Sequence, residues 1–163
     1  MFVRSASERD IAQVRALLVE TWHATYDSIY GTARVTAIND DWHSMASLTA
    51  RLTRQNSEFL VADSGQELGG MAFAVADDDG KVLTLNHLYV RPQHQGKGIG
   101  GMLLDEILTS FPDAESVRLE VEEANKRAIA FYQAYGFNHA GRTANCGGGQ
   151  SGIPALVMQR PLL

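Results

Sequence analysis

Apolar residues in this chain recur first at one spacing and then at another, and the changes of spacing outline the elements. Phe2–Ala6 predicts a short first strand. Ile11, Val14, Leu17, Leu18 and Trp22 then follow at helical spacing. Ser7 and Asp10, three apart just before that run, form a capping-box-like start, so the first helix is expected to run to about Thr25. Tyr26–Asp40 is aromatic and polar without a clean period and reads as irregular. Trp42–Gln55 reads as a second helix, with Met45, Leu48 and Leu52 on one face.

Three strands follow in series. Glu58–Ala62 leads through the turn Asp63-Ser64-Gly65-Gln66 into Leu68–Ala76, where Met71, Phe73 and Val75 alternate. Asp77-Asp78-Asp79-Gly80 is a hairpin turn that returns the chain as Lys81–Val90. In that returning strand Leu83 and Leu85 share one face by period two, whereas Leu88 and Val90 fall on the other. One bulged residue at Asn86-His87 would bring all four to one side, splay the strand from its next neighbour and open a slot. A strand covered on both faces needs no bulge, so the pattern alone leaves that alternative open.

Beyond Val90 the chain reads RPQHQGKGIGGMLL, a polar turn whose alternating glycines run into an amphipathic helix from Gly98 to about Ser110. Unpaired N–H groups and the positive end of the helix dipole favour an anion there. Gly96, Gly98 and Gly100 leave the backbone open to a pyrophosphate, and Lys97 adds positive charge. Ser116–Val121 is the next strand, Asn125 caps a helix to Tyr135, and Gly136 ends it. Phe137–Ala140 and Ala155–Gln159 are the last strands, and the polar run Gly141–Gly152 between them reads as a mobile loop. The order is β-α-α-β-β-β-α-β-α-β-β.

Composition narrows the choices. A chain of 163 residues, 45% hydrophobic and 20% charged, is the size and make-up of one globular domain, taken as 1–163. A net charge of −5 argues against nucleic acid or an anionic membrane as partner. Cys146 is the only cysteine, which excludes a disulfide framework and a thiolate metal cluster; His23 and Asp27 at i, i+4 lack a third metal ligand. With no apolar signal core and no run of membrane-spanning length, the expected location is cytoplasmic.

Gly96-x-Gly98-x-x-Gly101 also fits the dinucleotide pattern GxGxxG, with Glu120 and Glu122 about where its acidic residue would fall. Context opposes that reading. Arg91–Gln95 separate the glycines from their strand, a three-strand meander precedes them, and too little chain follows for two βαβαβ halves.

Gln95-Gly96-Lys97-Gly98-Ile99-Gly100 resembles instead the Q/R-x-x-G-x-G/A acyl-CoA motif of the GNAT superfamily of N-acyltransferases. Asn125 to Phe137 is similar to that family's second signature, N-x-x-A-x-x-x-Y-x-x-x-G-F. The resemblance implies an α+β, three-layer GNAT fold. Its mostly antiparallel mixed sheet of about seven strands would be splayed between strands 4 and 5 and flanked by four helices. It implies acetyl-CoA as co-substrate without a metal, an amine of a small molecule or of a protein as acceptor, and a homodimer as a common arrangement. A CoA-binding sensor without transfer activity is the alternative.

The resemblance also implies roles. The backbone of Leu88, Tyr89 and Val90 would pair with the pantetheine arm. Amides of Gln95, Gly96, Lys97, Gly98, Ile99 and Gly100 would hold the pyrophosphate. Asn125 would orient the thioester end, and Tyr132 would protonate the departing thiolate. A phenol of pKa ~10 is protonated at neutral pH and can do so. The fourth strand lacks the carboxylate that many members carry. That leaves His87, Glu120 and Glu122 as candidates for the general base, or an amine neutral by its own pKa. Direct attack in a ternary complex is expected, since no activated nucleophile stands out.

Overall fold

The computed structural model describes residues 1–147 and 151–162. Seven strands form one sheet in the order β1-β2-β3-β4-β5-β7-β6. In sequence they are β1 (Phe2–Ser5), β2 (Ser57–Asp63), β3 (Leu68–Ala76), β4 (Val82–Val90), β5 (Ser116–Glu122), β6 (Asn138–Thr143) and β7 (Ala155–Pro161). Every neighbouring pair is antiparallel except β4 and β5, which run parallel.

The helices are α1 (Ile11–Tyr30), α2 (Thr32–Trp42), α3 (Met45–Arg51), α4 (Ile99–Thr109) and α5 (Lys126–Ala134). α1 and α3 pack with Phe59, Met71 and Phe73 on one side of the sheet; α4 and α5 pack with Leu83, Leu85 and Leu119 on the other. On α4, Ile99, Leu103, Leu104 and Ile107 recur at three- and four-residue steps and are all buried. Burying each stabilises the fold by about 2 kcal/mol. The capping box at Ser7 and Asp10 forms: the Asp10 carboxylate accepts from the Ser7 N–H at 2.8 Å. It also accepts both terminal nitrogens of Arg4 at 2.8 Å, which ties β1 to α1.

Among the described residues, five α-helices replace the four expected. The stretch Tyr26–Asp40 that reads as irregular is the end of α1, a break at Gly31 with φ 86°, and α2. Its period is hidden because a core position of α2 is filled by Asn39. That side chain is buried and pairs with His43 Nδ1 at 2.7 Å, beside the apolar Val35. The second predicted helix contracts to Met45–Arg51, capped by Ser44, whose hydroxyl accepts the Ser47 N–H at 3.1 Å. β6 runs on to Thr143, so the first residues of the expected loop are strand. Within that loop the Cys146 N–H donates to Ile153 at 2.8 Å, and Gly148–Gln150 lie outside the described residues.

The bulge forms where the register slip predicts it. Phe73 pairs with His87 and Ala74 with Leu85, so Asn86 is the extra residue. Leu83, Leu85, Leu88 and Val90 consequently all join the α4–α5 side of the core. Pairing between β4 and β5 stops at Leu85↔Leu119. Beyond it the two strands diverge, and the β5-facing edge of β4 has no strand partner.

Candidate active site

The divergence opens a cleft of about 780 Å³. One wall is β4 from Leu88 to Val90, and the other is Glu120, Val121 and Glu122 of β5 with Asn125 and Tyr132 beyond. The glycine turn closes one end. Gln95 seals it by donating its side-chain amide to the Val90 carbonyl at 3.0 Å.

The glycines divide by physical cause. Gly96 and Gly98 have φ of 78° and 83°, and a Cβ on either would touch nothing within 4 Å. They are needed for the left-handed backbone of the turn that borders the cleft, with Gly98 capping α4. At Gly100 a Cβ would come 3.1 Å from the Phe131 ring, and at Gly101 it would come 2.0 Å from the Tyr135 hydroxyl. Those two glycines let α5 lie against the first turn of α4. Only the first pair therefore keeps the anion-site rationale that the sequence gives to Gly96, Gly98 and Gly100 together. Lys97 is exposed and does not line the cleft.

Asn125 begins α5 by accepting the Ala128 N–H on Oδ1 at 3.1 Å, while its Nδ2 donates to the Tyr26 hydroxyl at 3.1 Å. Tyr26 in turn donates to Glu122 Oε2 at 2.6 Å. Glu122 also lies 3.7 Å from the Cys146 thiol. Burial pushes the Glu122 carboxyl above the usual carboxylate range, and the Tyr26 hydrogen bond opposes that shift. Burial beside Glu122 likewise pushes the Cys146 thiol well up, which leaves it protonated and unreactive.

Tyr132 is buried at the foot of the cleft, with Phe131 and Phe137 edge-on at 5.3 and 5.5 Å. Burial, followed by the nearby Glu122 charge, raises its pKa, so the phenol holds its proton at neutral pH. Among the described residues its hydroxyl has no protein partner and is free to donate to a ligand. Glu120 is half-buried on the cleft wall, where Oε2 accepts the Gly147 N–H at 2.9 Å.

His87 is not in the cleft. The bulge turns it to the opposite face, among Phe73, His43 and Tyr89, with ring centroids 5.7–6.4 Å away. Burial, with Arg51 and His43 nearby, pulls its pKa well below the ordinary value. The sequence thus brings Leu88–Val90, the glycine turn, Glu120, Asn125 and Tyr132 together and leaves His87 apart. Tyr26 and Arg127 also line the cleft. Tyr26 meets Glu122 across 96 positions of chain, a contact with no local signal.

Solved structures with this architecture include proteins named as acetyltransferases. An N-acetyltransferase from Thermoplasma acidophilum, solved in complex with coenzyme A, superposes with a TM-score of 0.85 over 98% of both chains at 22% identity. The ribosomal-protein-S18-alanine N-acetyltransferase of Escherichia coli gives 0.71 at 22% identity, covering 99% of this chain and 93% of that one. Residues 13–137 match the Acetyltransferase (GNAT) family, and the chain belongs to it. A probable N-acetyltransferase of Mycobacterium tuberculosis is 29% identical over 86% of this chain and 82% of its own. A peptidyl-lysine N-acetyltransferase of Salmonella typhimurium is 36% identical over 55% of this chain and 64% of its own.

Proposed function

We propose that the protein transfers acetyl from acetyl-CoA to a primary amine of a small molecule or a peptide, by direct attack in a ternary complex. The observation that carries the reading is the split between β4 and β5. It joins the N–H groups of the glycine turn to a protonated Tyr132 and a reachable Glu120 along one cleft.

In this reading the amides from Gln95 to Gly100 take the pyrophosphate, with Arg127 adding positive charge. The free edge of β4 from Leu88 to Val90 pairs with the pantetheine amides as a missing strand would. The thioester then lies between Asn125 and Tyr132, so both substrates are held in reacting geometry. An ammonium of pKa near 10 has to lose its proton before attack. Glu120 takes that proton, directly or through one water. Glu122, buried and already bonded to Tyr26, holds the wall in place. Tyr132 donates its proton to the sulfur as the C–S bond breaks. His87 lies off the cleft and is not assigned a role in proton transfer.

The reading is tested by initial velocities with acetyl-CoA and an amine panel that includes lysine peptides. Intersecting double-reciprocal lines are expected. Parallel lines would indicate an acyl-enzyme and overturn direct attack. No transfer to any amine would overturn the proposal itself.

A further inference from the structure

Beside the cleft, on the face covered by α1 and α3, lies a second hollow of about 810 Å³. Its floor is the strand pair just before the split, where Thr84 of β4 faces Arg118 of β5. Arg51 of α3 and Arg54 beyond it form the overhang. The bulged Asn86 lines both the hollow and the cleft, so the two spaces meet at the point of the split. Alternation along β5 puts Arg118 and Glu120 on the same face, with their Cα atoms roughly 7 Å apart. Arg118 serves the hollow and Glu120 the cleft.

Three arginines share this hollow, and among the described residues none is in an ion pair. Arg51 is the informative one. Its guanidinium lies over the Phe73 ring, 5.7 Å from the centroid, and Nη1 is buried with no hydrogen-bond partner. Burial lowers its pKa, the mark of a cation short of counter-charge. Asp77 and Asp78 line the hollow as well and offset two of the three arginine charges; Asp77 Oδ1 also accepts the N–H groups of Lys81 and Val82 at 2.9 and 3.2 Å. In a chain of net charge −5, the hollow beside the cleft thus keeps a net positive charge, with the Arg51 Nη1 unpartnered. The planar forks of the arginines match a carboxylate or a phosphate.

From this juxtaposition we infer that the acceptor is a small amine carrying an anionic group, held by Arg118, Arg51 and Arg54 while its nitrogen reaches Glu120 at the split. The inference rests on the acetyl transfer proposed above and names its acceptor class. Side chains that rise in parallel from Cα atoms roughly 7 Å apart favour an acceptor whose anion lies about four to six bonds from its nitrogen. The amine nitrogen bonds to the acetyl carbon, the C–S bond breaks and its electron pair leaves on sulfur. Nitrogen loses two protons. Glu120 takes the first from the ammonium before attack and passes it to solvent. The second leaves the tetrahedral intermediate to restore the Tyr132 phenol after that phenol has protonated the thiolate. The products are an N-acetylated anion and CoA.

The test is the ratio of kcat/KM among four acceptors: 4-aminobutyrate, O-phosphoethanolamine, butylamine and 1,4-diaminobutane. The carboxylate or the phosphate compound should exceed butylamine by about tenfold or more, and whichever leads identifies the anion. R118Q and the more exposed R54Q should each lower that ratio several-fold, R118K should restore part of it, and R118E should shift preference toward the diamine. A gain for the diamine is a result that misfolding cannot produce. Acetylation of all four amines without preference for an anion, or a ratio unmoved in R118Q and R54Q, would overturn the inference and leave acetyl transfer standing. Failure to acetylate any of a broad amine panel would overturn both.

Discussion

Removing a single oxygen at Tyr26 probes the wall that the cleft depends on. In Tyr26→Phe, Glu122 loses its 2.6 Å donor and Asn125 Nδ2 loses its acceptor, while the ring still packs. A hydrogen bond to a buried carboxylate contributes about 1.5–3 kcal/mol, and stranding the amide costs about 1 more. The expected loss is about 2–4 kcal/mol, or a fall in Tm of about 5–12 °C for a chain of this size. The sign with pH follows from the raised pKa of Glu122. Ionising it in the fold costs stability as pH rises above the ordinary carboxylate range, and the Tyr26 bond limits that cost. Tyr26→Phe should therefore cost more at pH 7 than at pH 4, where the carboxyl is protonated. Urea unfolding at the two pH values measures both numbers, and a cycle with Glu122→Gln should give a coupling of at least about 1 kcal/mol. A loss below about 0.5 kcal/mol, or one equal at both pH values, would refute the reasoning.

Other consequences follow from the same geometry. Tyr132→Phe should lower kcat by about a hundredfold with little change in the KM for acetyl-CoA, read by thiol release; unchanged turnover would remove Tyr132 as the acid. Glu120→Gln should lower kcat/KM for the amine by about tenfold or more at neutral pH and recover as pH approaches the amine's own pKa. A loss that is flat with pH would make Glu120 structural. His43 is buried, and desolvation pulls its pKa from 6.5 to about 3. Stability from this group is present above pH 6.5 and is lost as pH falls toward 3, as the unfolded chain takes up the proton. With His87 acting alike, unfolding free energy should fall by up to about 2.7 kcal/mol per pH unit near pH 5. A flat profile from pH 7 to 5 in urea titrations would rule that out.

Most of the fold is legible in the sequence because its decisive features are local. The slip of register around Asn86-His87 announces the bulge, and the bulge makes the split. Asn125, Tyr132 and the glycine turn sit on elements whose caps and periods can be read directly. Two kinds of feature escape. α2 is hidden because Asn39 and His43 pair with each other inside a core stripe, where a periodicity argument looks for apolar residues. The Tyr26–Glu122–Asn125 chain is hidden because it joins α1 to β5 and α5, elements far apart in sequence. His87 shows the limit of argument from residue type: its ordinary pKa suits a base, yet the same bulge that opens the cleft turns it away.

The central claim is that the split between β4 and β5 is an acyl-CoA site, and isothermal titration of the protein with acetyl-CoA, beside NAD and ATP, tests it most directly. Binding of one acetyl-CoA per chain in the micromolar range, with no heat from NAD, is the predicted result. Binding of NAD in its place, or no binding of acetyl-CoA, would contradict the account.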